Sequence, residues 1–232
     1  MPKLQAIGFD LDDTLYPERS YALSGFAAVA EWAEATLGIP RTQGSAELKG
    51  YFEAGLRGRT FNRWLEDHGL PAEPWVRNMV DCYRQHTPDI APFPEVVEVL
   101  ESLRGNCRMA ILTQGYAPGQ KRKIEALNLG GYFATILILG EEQREQWKPS
   151  RAAFERLLAG LGKAGDSVAY VGDNPDKDFL GARQLGMPTV RVRRPGGEHA
   201  QKEPVDASYA ADMEICDLTG IRRALELEVG QF

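Results

Sequence analysis

Four short apolar runs constrain the fold of this chain most, because each is closed by a polar residue or a glycine. They are Leu4 to Phe9 before Asp10, Met109 to Leu112 before Thr113, Ile136 to Leu139 before Gly140, and Val168 to Val171 before Gly172-Asp173. Runs of this length, bounded by turn residues, suit strands buried on both faces, as in a parallel sheet. A fifth run, Thr189 to Val192, alternates with arginines and is expected to be an edge strand. Between the runs lie segments with apolar residues at helical spacing: Glu95 to Leu103, Lys121 to Leu129, Arg151 to Leu161 and Asp176 to Leu185. Strands alternating with helices predict an α/β fold built on a doubly wound, mainly parallel sheet.

One stretch interrupts the alternation. From about Pro17 to His86 no strand pattern is present, only helical periodicity, over Ala22–Leu37, Ala46–Leu56, Phe61–His68 and Glu73–Tyr83. Breaks between these helices are rich in Gly and Pro, and the proline-dense segment Thr87 to Pro94 leads back to the strand pattern. The chain thus divides into an α/β core domain, residues 1–16 and 87–232, and a helical insertion over 17–86. Ligands of open parallel sheets bind at the carboxyl ends of the strands. An insertion placed just after the first strand is therefore expected to act as a lid.

Composition narrows the function. The 232 residues carry 27 Lys and Arg against 33 Asp and Glu, a formal charge of −6, where nucleic-acid-binding modules show a basic footprint. The longest apolar run, Ala134 to Leu139 with one Thr inside, is far too short to cross a bilayer. Three scattered cysteines, Cys82, Cys107 and Cys216, form no CxxC pair and read as reduced thiols. With no secretory signal pattern at the N-terminus, a cytoplasmic protein is expected, with neither nucleic acid nor membrane as partner.

The most informative segment is Phe9-Asp10-Leu11-Asp12-Asp13-Thr14-Leu15. Extended backbone repeats with period two, so Asp10 and Asp12 can point to the same side. Two carboxylates so close repel unless one is protonated or a cation sits between them. Phosphoryl transfer through a carboxylate uses both answers. Asp10 would stay ionised and attack phosphorus, while Asp12 would protonate the leaving oxygen and later take a proton from water. A plain acidic turn after a strand is the alternative for this segment taken alone.

Asp10-Leu-Asp-Asp-Thr14 resembles the DxDxT signature of the haloacid dehalogenase-like (HAD) hydrolase superfamily, in its phosphatase branch with a helical cap after the first core strand. The other motifs follow in order. Thr113, before Gln114-Gly115, resembles the Ser or Thr that binds the phosphoryl group, and Lys148 in Trp147-Lys-Pro149 resembles the charge-balancing lysine. Gly172-Asp-Asn-Pro-Asp-Lys-Asp178 resembles the fourth motif, with Asp173 as a metal ligand. The resemblance, which spans residues 4 to about 193, implies a Rossmann-like core and Mg²⁺ as cofactor. Thr113, Gln114 and Lys148 would hold the phosphate. The Asp10 carboxylate, the Asp12 backbone carbonyl and the Asp173 carboxylate would hold the metal, a set of hard oxygen donors that Mg²⁺ prefers. Asp178 either caps a helix starting near Asp176 or supports the site by orienting Lys148 or a metal-bound water. Pro149 is expected at the first position of the following helix.

These residues imply a Mg²⁺-dependent phosphatase acting on a small phosphorylated metabolite through an aspartyl-phosphate. A phosphomutase would use the same pair of aspartates. A dehalogenase would have no task for Asp12, because a halide leaving group needs no proton, and a non-catalytic phosphoester-binding protein would not need the full set. His68, His86 and His199 stand far apart and outside the motifs, so no zinc site is expected. Tyr16, Arg19, Arg57, Arg59, Arg63 and Trp64 are candidates to reach the leaving group, though a solvated or packing role is the plainer reading of each. Trp32, Trp75 and Phe26 read as packing residues. Arg191, Arg193 and Arg194 read as an exposed, charge-guarded edge. Met213 to Leu218 is a candidate last strand and Thr219 to Leu227 a terminal helix.

Overall fold

The computed structural model describes residues 4–225. Two compact units emerge, one of Met1–Glu18 with Ala91–Phe232, the other of Arg19–Ile90. In the first, six parallel strands form one sheet: β1 (Ala6–Phe9), β2 (Arg108–Gln114), β3 (Thr135–Leu139), β4 (Val168–Gly172), β5 (Thr189–Val192) and β6 (Met213–Ile215). Their order is β3-β2-β1-β4-β5-β6. The chain winds outward from β1 in one direction, then returns to place β4 on the other side of it. A crevice opens where the order reverses, at the carboxyl ends of β1 and β4. The residues that follow those two strands are Asp10 and Asp173.

The strands β1, β4 and β5 are buried at every position, as continuous apolar runs predict for a sheet covered on both faces. Helix α7 (Arg151–Leu161) covers one face through Ala153, Phe154, Leu157 and Leu161. Its Phe154 meets Tyr170 of β4 edge to face, centroids 4.9 Å apart, a pair worth about 1 kcal/mol beyond the area it buries. Ser150 caps α7 by accepting from the Ala152 N–H, and Gly162 ends it in the left-handed region. Pro149 therefore precedes the cap and does not occupy the expected first helical position. Also in this unit are α5 (Val96–Leu103), α6 (Ala117–Leu127), the short α8 (Leu180–Arg183) and α9 (Ile221–Ala224). The expected terminal helix is realised only as α9, and Glu226 and Leu227 lie outside the described residues.

Three further expectations for this unit are corrected. Strand β5 is not an edge, since β6 pairs with its far side. Arg191 is correspondingly not an exposed charge but 1% exposed, and Arg194 is also buried. Arg191 donates to the carbonyls of His199 (2.8 Å) and Lys202 (2.6 Å) and meets Glu214 at 3.2 Å. Arg191 pins the segment after β5, while Arg194 donates to the Thr14 carbonyl at 3.1 Å and meets Glu95 at 2.7 Å, so neither guards an open strand. The helix expected over Asp176–Leu185 is shortened to α8 because its first residues are spent on a polar loop, described below.

The second unit is helical: α1 (Glu18–Leu37, its first residue belonging to the other unit), α2 (Arg41–Glu53), α3 (Thr60–Asp67) and α4 (Trp75–Gln85). Helix α1 buries Ala22, Phe26, Val29 and Ala33, spaced three or four apart, against Leu48, Trp64, Leu65 and Met79. Trp32 and Trp75 pack as a tilted pair with centroids 6.1 Å apart. Trp64 is fully buried, its indole N–H donating to Glu47 at 2.7 Å. It is a core residue of this unit and presents no face to a substrate. All four arginines named with it are engaged inside the unit: Arg19 with Glu53, Arg63 with Asp67, Arg59 with Glu66 at 3.7 Å, and Arg57 over the Phe52 ring at 3.8 Å.

Candidate active site

The motif after β1 turns on Asp13, whose φ of 52° lies in the left-handed region that Asp tolerates better than most residues. Its carboxylate fixes the turn by accepting from the backbone N–H groups of Glu18 (2.9 Å) and Glu198 (3.1 Å). Asp10 and Asp12 both line one small cleft of about 120 Å³, along with Thr113, Gln114, Lys148 and Asp173. The expected same-side arrangement of the two aspartates is thus present.

Lys148 lies at the centre of the charge pattern. Its ammonium group donates to Asp10 Oδ1 and Asp178 Oδ1, each at 2.7 Å, and its side chain is 2% exposed. Asp173 completes a trio with Asp10 and Asp178, with one ligand oxygen from each lying within 4.8 Å of the others. Burial would lower the lysine pKa, but the Asp10 and Asp178 charges outweigh it and hold the ammonium well above its usual range. Burial pushes the Asp10 carboxyl up to about 6, against the pull of Lys148 and with Asp178 and Asp12 adding to the rise. Asp173 is driven up in the same way, by burial and then by Asp178 and Asp10.

Asp178 does not cap a helix. Its Oδ2 accepts from the Asn174 N–H at 2.8 Å while Oδ1 orients Lys148, and Asn174 Oδ1 accepts from the Asp176 N–H at 3.0 Å. These side-chain bonds hold residues 174–178 as a loop and delay the helix to Leu180. Gly172 makes the approach possible, because a Cβ there would come within 2.5 Å of Asp178 Cγ.

On the other side, Thr113, the penultimate residue of β2, lines the cleft. Gln114 Oε1 accepts from the Lys148 backbone N–H at 2.7 Å, so the residue after Thr113 steadies the lysine. Three groups escaped sequence reasoning. Lys123 and Gln120, both on α6, donate to Asp12 at 2.6 and 2.9 Å, and Gln120 also reaches Thr113 Oγ1 at 2.5 Å. His199, which stands outside the sequence motifs, lines the cleft, and its Nε2 accepts from Asn174 Nδ2 at 2.9 Å. Burial, with Lys202 and Lys177 nearby, holds its imidazole below the usual range, consistent with a neutral acceptor. The signal for Lys123 was present in outline, as an amphipathic helix following Thr113 with Lys on its buried side.

The fold and these motifs find a match in known proteins. The family described as haloacid dehalogenase-like hydrolase matches residues 4–186. The chain belongs to the haloacid dehalogenase-like hydrolase family. A glyceraldehyde 3-phosphate phosphatase of Methanopyrus kandleri is 31% identical, covering 91% of this chain and 93% of that protein. A phosphoserine phosphatase of Thermus thermophilus is 29% identical, covering 94% of this chain and 75% of that one. A HAD phosphatase from Thermococcus onnurineus shares the fold, with a TM-score of 0.61 at 22% identity over 98% of this chain and all of that one. This HAD-like hydrolase thus has phosphatases as its sequence relatives. Among its described residues no helix is long and apolar enough to cross a membrane.

Proposed function

We propose that this HAD-like hydrolase is a Mg²⁺-dependent phosphatase that cleaves a small phosphorylated metabolite through a phosphorylated Asp10. The observation that carries the reading is the position of Asp10. It lies at the carboxyl end of β1, with Lys148 at 2.7 Å, Asp173 and Asp178 beside it, and Asp12 in the same cleft.

An Asp10 oxygen attacks phosphorus and the ester P–O bond breaks, leaving its electron pair on the substrate oxygen, which takes a proton from Asp12. Water then attacks the phosphorus of the aspartyl-phosphate. Its proton passes to Asp12, and the P–O bond to Asp10 breaks to restore the carboxylate. Thr113, Gln114 and Lys148 hold the phosphoryl group, and Lys148 offsets negative charge as it builds on the equatorial oxygens.

Three carboxylates face one ammonium in the trio around Lys148, a formal excess of two negative charges on oxygen donors only. That donor set fits a hard divalent cation. The Asp10 and Asp173 carboxylates, with the Asp12 backbone carbonyl, would hold Mg²⁺, and Asp178 would support them. When bound, the cation supplies Lewis-acid stabilisation of the transferring group.

The test is phosphate release from a panel of phosphomonoesters with Mg²⁺, with chelator, and with Asp10→Asn. The panel begins with glyceraldehyde 3-phosphate and phosphoserine, named in the relatives' activities. Release that needs Mg²⁺ and vanishes in Asp10→Asn supports the reading. Movement of phosphate to another position of the substrate without release would replace it with a phosphomutase.

A further inference from the structure

Asp12 has two oxygens in unlike settings. Oδ1 accepts from Lys123 Nζ at 2.6 Å and from the Tyr16 hydroxyl. Oδ2 accepts from Gln120 Nε2 at 2.9 Å, and the same amide nitrogen lies 2.5 Å from Thr113 Oγ1. Gln120 and Lys123 are one turn apart on α6, so both reach the same side of that helix. Both are 5% exposed, which is unusual for these residue types. A lysine is buried only where a charge is worth reaching, and here the partner is Asp12, whose side chain is 19% exposed.

We propose that Lys123 and Gln120 are positioning residues that assign the proton transfer to one oxygen of Asp12. A carboxylate oxygen has two lone pairs. Lys123 and Tyr16 occupy Oδ1, whereas the bond from Gln120 leaves a second lone pair on Oδ2 for the travelling proton. Gln120 then couples that oxygen to Thr113, fixing its distance from the transferring phosphoryl group. Neither residue touches substrate in this account. They act by holding a group that would otherwise rotate about two side-chain torsions, and misplacing a catalytic group by about 1 Å can cost on the order of 10²-fold in rate.

The inference rests on the phosphatase reading, and the test separates the two. Purified Lys123→Met and Gln120→Leu are assayed with Mg²⁺ on two esters: an alkyl phosphate, whose leaving oxygen needs a proton, and p-nitrophenyl phosphate, whose leaving group departs without one. Asp12→Asn, run alongside, calibrates the loss of proton donation. A mispositioned Asp12 predicts a kcat loss of roughly 10²-fold on the alkyl ester and a much smaller one on the aryl ester. KM stays near the parent value, and Lys123→Arg recovers part of the loss. Equal losses on both esters in soluble, folded variants, or a rise in KM with kcat unchanged, would overturn the proposal while leaving the phosphatase intact. If Lys123→Met does not fold, Gln120→Leu decides by the same ratio. Absence of phosphate release by the parent protein on any ester would sink the phosphatase reading itself.

Discussion

Gly172 and Asp178 are in closer contact than any side chain at position 172 would allow: a Cβ there would sit 2.5 Å from Asp178 Cγ and 2.8 Å from its Cβ. The clash reaches the base of the Asp178 side chain, so a rotation of the carboxylate alone would not relieve it. Asp178 is wholly buried and holds Lys148 at 2.7 Å. Gly172→Ala is therefore expected to cost about 1–3 kcal/mol of stability, typical of overpacking, and to reduce turnover by loosening Lys148. Urea unfolding together with phosphate release checks both. Parent-like stability would mean that the loop 173–178 moves freely.

Lys148 is the sole cation bonded to Asp10 and Asp178 among the described residues. Lys148→Met leaves those carboxylates buried and uncompensated, and breaking a buried pair in this way costs about 3–5 kcal/mol. Chelator-treated variant should melt well below the parent, with a good part of the loss recovered on adding Mg²⁺, whereas turnover stays down by at least about 10²-fold. Calorimetry with and without the metal, paired with a kcat measurement, separates the structural role of the charge from its catalytic one.

Metal binding at the acidic trio, as proposed above, would depend on pH. Burial raises the Asp10 carboxyl from 3.8 to about 6 in the metal-free protein and raises Asp173 as well. A carboxyl whose folded pKa is raised contributes stability that is fully present below its unfolded value and is lost as pH climbs through its folded value. Asp10 therefore weakens the metal-free protein as pH rises from about 4 through about 6, and Asp173 acts in the same direction. A cation needs them ionised. The rise in melting temperature produced by Mg²⁺ should be small near pH 5 and grow through pH 6 toward about pH 8. A Mg²⁺ effect that is flat across this range would contradict the assignment.

Arg191 ties β5 to the segment carrying His199. Its guanidinium reaches the carbonyls of Asp173 (3.3 Å), His199 (2.8 Å) and Lys202 (2.6 Å). Arg191→Leu strands those buried acceptors and should cost about 2–4 kcal/mol. Hydrogen exchange should show the amides of residues 197–202 losing protection ahead of those of β4. Uniform exchange across both segments would mean that the arginine does not hold the segment.

The parallel sheet was readable because buried strands leave an unbroken apolar signature, as in Val168 to Val171, and because Asp10 and Thr113 follow such runs directly and Asp173 one residue later. The rest was hidden for identifiable reasons. Arg191 resembles a solvated charge in sequence, and only the three-residue β6 beside it converts its strand from edge to interior. Asp176 to Leu185 has helical periodicity, but Asn174 and Asp178 outcompete the helix for its first backbone groups. Gln120 and Lys123 have the residue types of an exposed helical face, and their burial depends on Asp12, more than a hundred positions earlier in the chain. Local patterning reveals which residues end a strand. It does not reveal which polar side chains later converge on them.

The central claim is that Asp10 carries the phosphoryl group. Its most direct test is acid quenching of a single turnover with Mg²⁺ and the best phosphomonoester, followed by mass analysis of the peptide containing Asp10. The account predicts a transient gain of one HPO₃ group on Asp10 that forms before free phosphate appears and decays as it accumulates, and that is absent from Asp10→Asn. Free phosphate produced at full rate with no adduct on Asp10, or produced by Asp10→Asn, would contradict it.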